Sequence, residues 1–299
     1  MTRIHLPILL ALFVPACASA PLTFESPEAA VQALVDSAED KARAEELLGP
    51  GGFEALRSGD EVADHEDIDT VRGLIREKVA FATDGDVCTA LLGNDGWPLP
   101  LPLVKVGDRW RFDVEAGLDE ILSRRVGRNE LSTIETLRAC VEAEREYAAL
   151  TSDAKGSMYA AKVLSSPGKK DGLYWPVGEG ETPSPLGPLV AEAATQGYDR
   201  TEASEPAPYQ GYYYRILTRQ GADAPGGARD YEDKDGALRF GFAFLAWPAT
   251  YGNSGVMTFL VNQQGIVFER DLGADTASAA KKIDSYDPDE SWRPTVTGG

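Results

Sequence analysis

Apolar and polar positions change period along this chain, and the changes mark out its elements. Ser26-Pro27-Glu28-Ala29 is a helix start, with proline at the first helical position and an acid in the first turn, ahead of an apolar stripe at Ala30, Val31, Leu34, Val35 and Ala38. Gly49-Pro50-Gly51-Gly52 ends that region; residues 58–69 read as an acidic connector, and residues 71–81 as a second helix. The period then falls to two. Residues 87–92, 97–106 and 110–114 alternate with the turns Asn94-Asp95-Gly96 and Gly107-Asp108, which predicts a three-stranded meander. Arg124-Arg125-Val126-Gly127-Arg128 reads as a joint, after which Asn129 caps a new helix running to about Leu150. Leu131, Ile134, Leu137, Val141, Glu144 and Ala148 trace one face of it, with Cys140 at the margin. Residues 165–207 are dense in Pro and Gly and predict a long irregular segment. The aromatic and β-branched runs at 211–218, 238–247, 255–262 and 265–270 predict an antiparallel sheet with a half-buried surface, turned at Asp235-Gly236 and between Asn262 and Gly265. A short helix from Thr276 and an extended tail docked by Trp292 complete the chain. The expected class is α+β, in two domains of helix on antiparallel sheet: residues 22–125 and 126–275, followed by a tail over 276–299.

Residues 1–20 differ from the rest. Arg3, the apolar run LPILLALFV at 6–14 and the small-residue motifs Ala16-Cys17-Ala18 and Ala18-Ser19-Ala20 form a secretory signal, too short to span a bilayer. Pro21 disfavours cleavage after Ala20, so residues 1–18 are read as the removed segment. A lipid anchor on Cys17 is the alternative, disfavoured by Pro15 in the position a lipobox would use. The expected address is periplasmic or secreted. Of 299 residues, 43% are hydrophobic and 26% charged, as in an ordinary folded protein. The net charge of −19 repels phosphate backbones and anionic lipid surfaces, which argues against nucleic-acid and membrane-surface binding as main roles. No stretch after the signal is long enough and apolar enough to predict a membrane span. Cys88 and Cys140, the cysteines left after processing, read as two separate buried thiols.

Few constellations carry chemistry. Ser166-Pro167-Gly168-Lys169 has the S-x-x-K spacing of penicillin-interacting serine enzymes, but Pro167 and Gly168 make it a loop, and the companion S-D-N and K-T-G motifs are missing from the sequence. Ser254 sits in a turn signal with no helix after it, unlike a nucleophile elbow. His65 alone remains after processing, which excludes H-E-x-x-H zinc chemistry. Asp60, Glu61, Asp64, Glu66, Asp67 and Asp69 around it read as a solvated acidic loop, with Ca²⁺ binding the sharper alternative. Residues 221–229 are Gly-rich but lack the Lys-Ser/Thr pair and the Rossmann spacing of phosphate cradles, so no cofactor is expected. Tyr174, Trp175, Tyr209, Arg215, Arg229, Trp247 and Tyr251 are the candidate binding residues, because Tyr, Trp and Arg anchor interfaces; packing of the rings in core and loops is the competing reading.

Longer blocks carry a resemblance. FESPEAAV at 24–31, WPLPLPLVK at 97–105, RRVGRNEL at 124–131, DGLYWP at 171–176, SPLGP at 184–188 and AWPATYG at 246–252 are similar to the bacterial domain-of-unknown-function family 2950. That resemblance implies an exported protein and transfers no catalytic residue. Residues 22–116 also resemble NTF2-like domains, a scaffold that holds a pocket in some proteins and mediates contacts in others. Residues 129–273 resemble the globular head of type IV pilins and pseudopilins, without the long apolar N-terminal helix of a filament. The resulting expectation is a non-catalytic binding or scaffolding component of the cell envelope, whose partner is an envelope protein or a small ligand. The alternative is a hydrolase using carboxylates in a pocket of the first domain.

Overall fold

Our computed structural model describes residues 22–295, apart from positions 38, 51, 59 and 179 and the stretch 196–207; the signal segment and Cys17 lie outside the described residues. Four helices open it: α1 (Pro27–Ser37), α2 (Lys41–Leu48), α3 (Gly52–Leu56) and α4 (Glu61–Glu77). The acidic residues expected to form a connector are instead the first turns of α4. Asp60 is its N-cap, with extended backbone and a side chain accepting from the Ala63 N–H, and Glu61 and Asp64 occupy the first turn. Acids belong there because the first N–H groups of a helix lack intrahelical acceptors and the dipole is positive at that end.

The first sheet holds β1 (Val79–Asp84), β2 (Val87–Leu92), β3 (Trp97–Pro98), β4 (Leu103–Val106) and β5 (Arg109–Phe112), antiparallel in the order β1-β2-β4-β5 with β3 on β2. It has five strands where three were expected: residues 79–84 form β1 and pair with β2, Val79 opposite Leu92, instead of continuing the helix, and the run at 97–106 divides into β3 and β4. Ala30, Leu47, Cys88, Leu92, Leu103 and Phe112 form the core between this sheet and the opening helices.

No joint or helix start occurs at 124–129. A single 37-residue helix, α5 (Val114–Leu150), runs through the expected boundary, with Asp113 as its N-cap. Its first turns pack on the first sheet's side. Gly117 lies so close to the segment before β4 that a Cβ there would stand 2.5 Å from Leu101 Cδ2 and 3.0 Å from the Pro100 carbonyl. Gly117→Val is therefore expected to cost about 1–3 kcal/mol of stability through overpacking. Chemical denaturation measures it, and an unchanged midpoint would refute the close contact.

The second half of α5 packs on β9 (Ala243–Pro248) and β10 (Met257–Asn262). These are inner strands of a second antiparallel sheet, in the order β12-β11-β10-β9-β6, with β6 (Tyr212–Leu217), β11 (Phe268–Asp271) and β12 (Arg293–Pro294). The strand runs read from the sequence fall on these elements, but β9 and β10 are buried on both faces rather than on one. Phe244, Ala246, Phe259 and Val261 point to a core shared with Leu137, Val141 and Tyr147 of α5. Ala243, Leu245 and Leu260 point to a second core with Tyr231, Tyr286 and Trp292, the arrangement that a continuous apolar run signals. β7 (Arg219–Gln220) pairs with β8 (Arg229–Asp230), α7 (Thr276–Ala280) covers β9, and α6 (Gly187–Thr195) interrupts the segment expected to be irregular. Cys88 and Cys140 are buried, unpaired thiols, and burial pushes Cys140 up to about 12.

Polar residues in the middle of α5 fasten the turn between β9 and β10. Arg125 Nη1 donates to Asn253 Oδ1 at 2.5 Å, Asn129 Nδ2 donates to the Ser254 carbonyl at 2.9 Å, and Glu130 Oε1 accepts from the Val256 and Met257 N–H groups. Buried polar groups of this kind are costly when left without partners, and these partners lie more than a hundred residues away in sequence. A Gly127 in the middle of the helix costs about 1 kcal/mol relative to alanine; these bonds and the packing on both sides offset it.

Candidate functional site

A concave cavity lies among the opening helices, the first sheet and α5. Its volume is about 450 Å³, within the range of roughly 300–1,000 Å³ typical of small-molecule sites. The walls are apolar. Leu34 and Val35 come from α1, Leu48 from α2, Phe53 and Leu56 from α3, Ile68, Val71 and Leu74 from α4, and Ile121 from α5. Trp97, Leu99, Pro100 and Leu101 supply the remaining side from the segment joining β3 to β4. Trp97 and Pro98 pair with β2, the Leu99 N–H donates to the Ala90 carbonyl at 2.8 Å, and the prolines that follow, which lack an N–H donor, end the ladder beside the cavity. Several of these side chains, including Leu34, Leu56, Val71, Leu74, Trp97 and Ile121, are only partly buried, because the space they border is not filled by protein.

The charged lining consists of Arg57, Arg72, Arg124, Arg125, Arg128, Asp64 and Asp67. Arg128 forms a two-pronged pair with Asp67 at 2.7 and 2.8 Å. Asp64, buried at the start of α4, accepts from the Ser58 N–H at 2.8 Å and stands 3.7 Å from Arg57 Nε. Arg124 reaches Glu120 at 2.7 Å and lies over the Trp97 ring, while Arg72 reaches Glu39 at 2.6 Å. The Arg72 guanidinium holds the exposed Glu39 carboxyl below its ordinary value. Arg125 is different. It is 5% exposed, and its acceptors are the Leu56 and Arg57 carbonyls and Asn253 Oδ1. Both lining carboxylates are thus engaged with arginines, and neither is hydrogen-bonded to the other. An apolar chamber with fixed cations at its edge can hold a ligand.

The family described as Protein of unknown function (DUF2950) matches residues 22–295. The chain belongs to this family. No curated protein and no solved structure matches it.

In this DUF2950 protein the aromatic residues singled out from the sequence lie away from the cavity and divide between environments. Trp175 is buried in the core under α5, edge-on to Tyr147 at 6.4 Å, and Tyr174 packs against the same core. Tyr209 is half-buried beside Tyr214. Trp247 and Arg215 are brought together on the opposite face of the second sheet, the guanidinium 5.6 Å from the ring centre, with Tyr213 across the strand from Trp247. Arg215 also donates to the Ala280 and Ile283 carbonyls. Arg229 lies over the Tyr231 ring, and Tyr251 donates to Asp271, which pushes its phenol up.

Ser166 faces Lys162 rather than Lys169. Lys162 Nζ is 2.7 Å from Ser166 Oγ and 2.8 Å from Asp171 Oδ2, and Ser166 Oγ lies 3.0 Å from the same carboxylate oxygen. Lys162 and two bonds from Ser166 hold the Asp171 carboxyl far below the ordinary range. A lysine in an ion pair with an ionised aspartate has no free lone pair to take the serine proton, so the triad is a loop clamp. Ser166 should therefore not react with a fluorophosphonate probe. Labelling that disappears in Ser166→Ala would overturn this reading. Ser254 is buried, and its hydroxyl bonds within the turn to the Thr250 backbone.

Sequence reasoning gave a pocket in the first domain only as the setting of the alternative reading and did not select its lining residues. Its residues come from five helices, from β3 and from the chain between β3 and β4, and the strand pattern read over 97–106 did not mark Trp97, Leu99 and Leu101 as its lining.

Proposed function

We propose that this is an exported, non-catalytic binding protein of the bacterial cell envelope that holds a small, mainly apolar ligand in the cavity of its N-terminal half. The observation that carries the reading is the chamber of about 450 Å³, lined by apolar side chains from every opening helix and edged by arginines. The lining side chains are already held by ion pairs and packing, so ligand entry need not reorder them, which favours affinity. Export rests on the signal-like residues 1–20 and places the mature protein in the periplasm or outside the cell. We read the N-terminal half as NTF2-like, a scaffold suited to a pocket, and the C-terminal half as pilin-head-like, the two sharing α5. Engagement of Asp64 and Asp67 by arginines favours binding over hydrolysis.

Native mass spectrometry of the mature protein, purified gently from its own host, tests this. The expected result is a small additional mass that leaves on denaturation. A protein-sized addition with no small one would replace the ligand-binding reading with a scaffolding one.

A further inference from the structure

We infer that the ligand is an amphiphile with an anionic head group, a carboxylate, which engages Arg125 while its apolar portion fills the chamber. This rests on the cavity being the working site, and it adds the chemistry of what enters. Four of the five arginines that line the cavity have a carboxylate within ion-pair distance: Arg57 with Asp64 at 3.7 Å, Arg72 with Glu39 at 2.6 Å, Arg124 with Glu120 at 2.7 Å and Arg128 with Asp67 at 2.7 Å. Arg125 has none among the described residues, although it is the most deeply buried of the five, at 5% exposed.

Its hydrogen bonds go to neutral acceptors only, the Leu56 and Arg57 carbonyls and the amide oxygen of Asn253. A guanidinium has five N–H donors, so Nε–H and one N–H on Nη2 remain without an acceptor among the described residues. A buried cation served only by neutral groups is poorly compensated for the water it has lost. Burial pulls the Arg125 guanidinium below its ordinary value; Asp64 and Asp67 act in the opposite direction, and Arg128 acts with burial. A ligand carboxylate is the group that fits. Its two oxygens match the planar fork of a guanidinium, and the apolar walls exclude a ligand that is anionic throughout. The protein's net charge of −19 would repel small anions in general, so selection for one depends on a local, desolvated cation.

Calorimetric titration of the mature protein at pH 8 with decanoate, decanol and decylamine tests the inference, since the three share one chain and differ in head-group charge. Decanoate is expected to bind at least roughly tenfold more tightly than decanol, and decylamine more weakly than either. In Arg125→Met, which keeps an apolar side chain, decanoate should fall to the affinity of decanol while decanol binding persists. Arg125 also ties Leu56 to Asn253; if the variant does not fold, the comparison of the three probes on the unaltered protein decides alone. Equal binding of decanoate and decanol, or preference for decylamine, would overturn the anionic head group and leave the cavity as a ligand site. Failure of all three to bind would overturn both.

Discussion

Gly255→Ala is expected to lower stability by about 3 kcal/mol or more, the upper part of the range for overpacked cores. A Cβ at Gly255 would stand 2.0 Å from Tyr212 Oη and 2.5 and 2.6 Å from Cζ and Cε2 of the same ring. The ring has nowhere to go. Tyr212 is completely buried, its hydroxyl donates to the Met257 carbonyl at 3.0 Å, and Phe259 lies against it with ring centres 5.8 Å apart. Gly255 is itself held from the other side, its carbonyl accepting from the Gly252 N–H at 2.9 Å. Close-packed interiors transmit such a clash to the backbone instead of absorbing it. Thermal unfolding should show a fall of about 6–12 °C at 2–4 °C per kcal/mol. In a Tyr212→Leu background, which removes the ring, the same substitution should cost much less; strictly additive effects would refute the contact as the cause.

Glu144→Gln should remove most of a loss of stability that the unaltered protein shows as pH rises from about 5 to 8. Glu144 is fully buried on α5; Oε2 accepts from the Ala160 N–H at 2.8 Å, and Oε1 has no partner among the described residues. Burial raises its carboxyl from 4.5 to about 8, with the Ala160 N–H acting weakly in the other direction. A folded value raised above the unfolded one means that the folded state keeps a proton the unfolded state has released. The contribution to stability is complete below about pH 4.5 and disappears as pH climbs through about 8. In that window stability should fall by roughly 1 kcal/mol per pH unit. The depressed carboxyls of Glu39, Asp153, Asp171, Asp233 and Asp289 lose their contributions only at acidic pH, below the window. Glu269, raised by partial burial, adds a smaller slope of the same sign that both proteins share. A glutamine places an amide without an acceptor in the same site, but that cost does not vary with pH, so the slope is the readout. Urea denaturation at pH 5, 6, 7 and 8 gives the two curves, and parallel curves would contradict the burial argument.

The strands of the last third were legible because their runs are local: a β-branched or aromatic segment and the glycine turn after it lie within a dozen residues, as with Met257–Asn262 and Gly265. The α+β class followed from them. The acidic residues at 60–69 misled because six carboxylates look like a solvated loop, whereas Asp60 caps α4 and Glu61 and Asp64 stand in its first turn. Arg124 to Arg128 looked like a joint, and Asn129 like a cap, for a different reason. Arg125, Asn129 and Glu130 answer to Asn253, Ser254, Val256 and Met257, and no local pattern reveals partners that far along the chain. The same distance hides the cavity, since residues as far apart as Leu34, Trp97 and Arg128 border one space.

Titration with the neutral apolar fluorophore N-phenylnaphthylamine, of the unaltered protein and of Val71→Trp, tests the central claim most directly. Val71 lines the chamber from α4 and is only partly buried, so an indole there occupies the space without displacing a packed core residue. The account predicts a saturable rise in fluorescence with one equivalent of probe, and its loss by at least roughly tenfold in affinity in Val71→Trp, at an unchanged unfolding temperature. No saturable binding by the unaltered protein, or equal binding by the tryptophan variant, would contradict the assignment of this cavity as the ligand site.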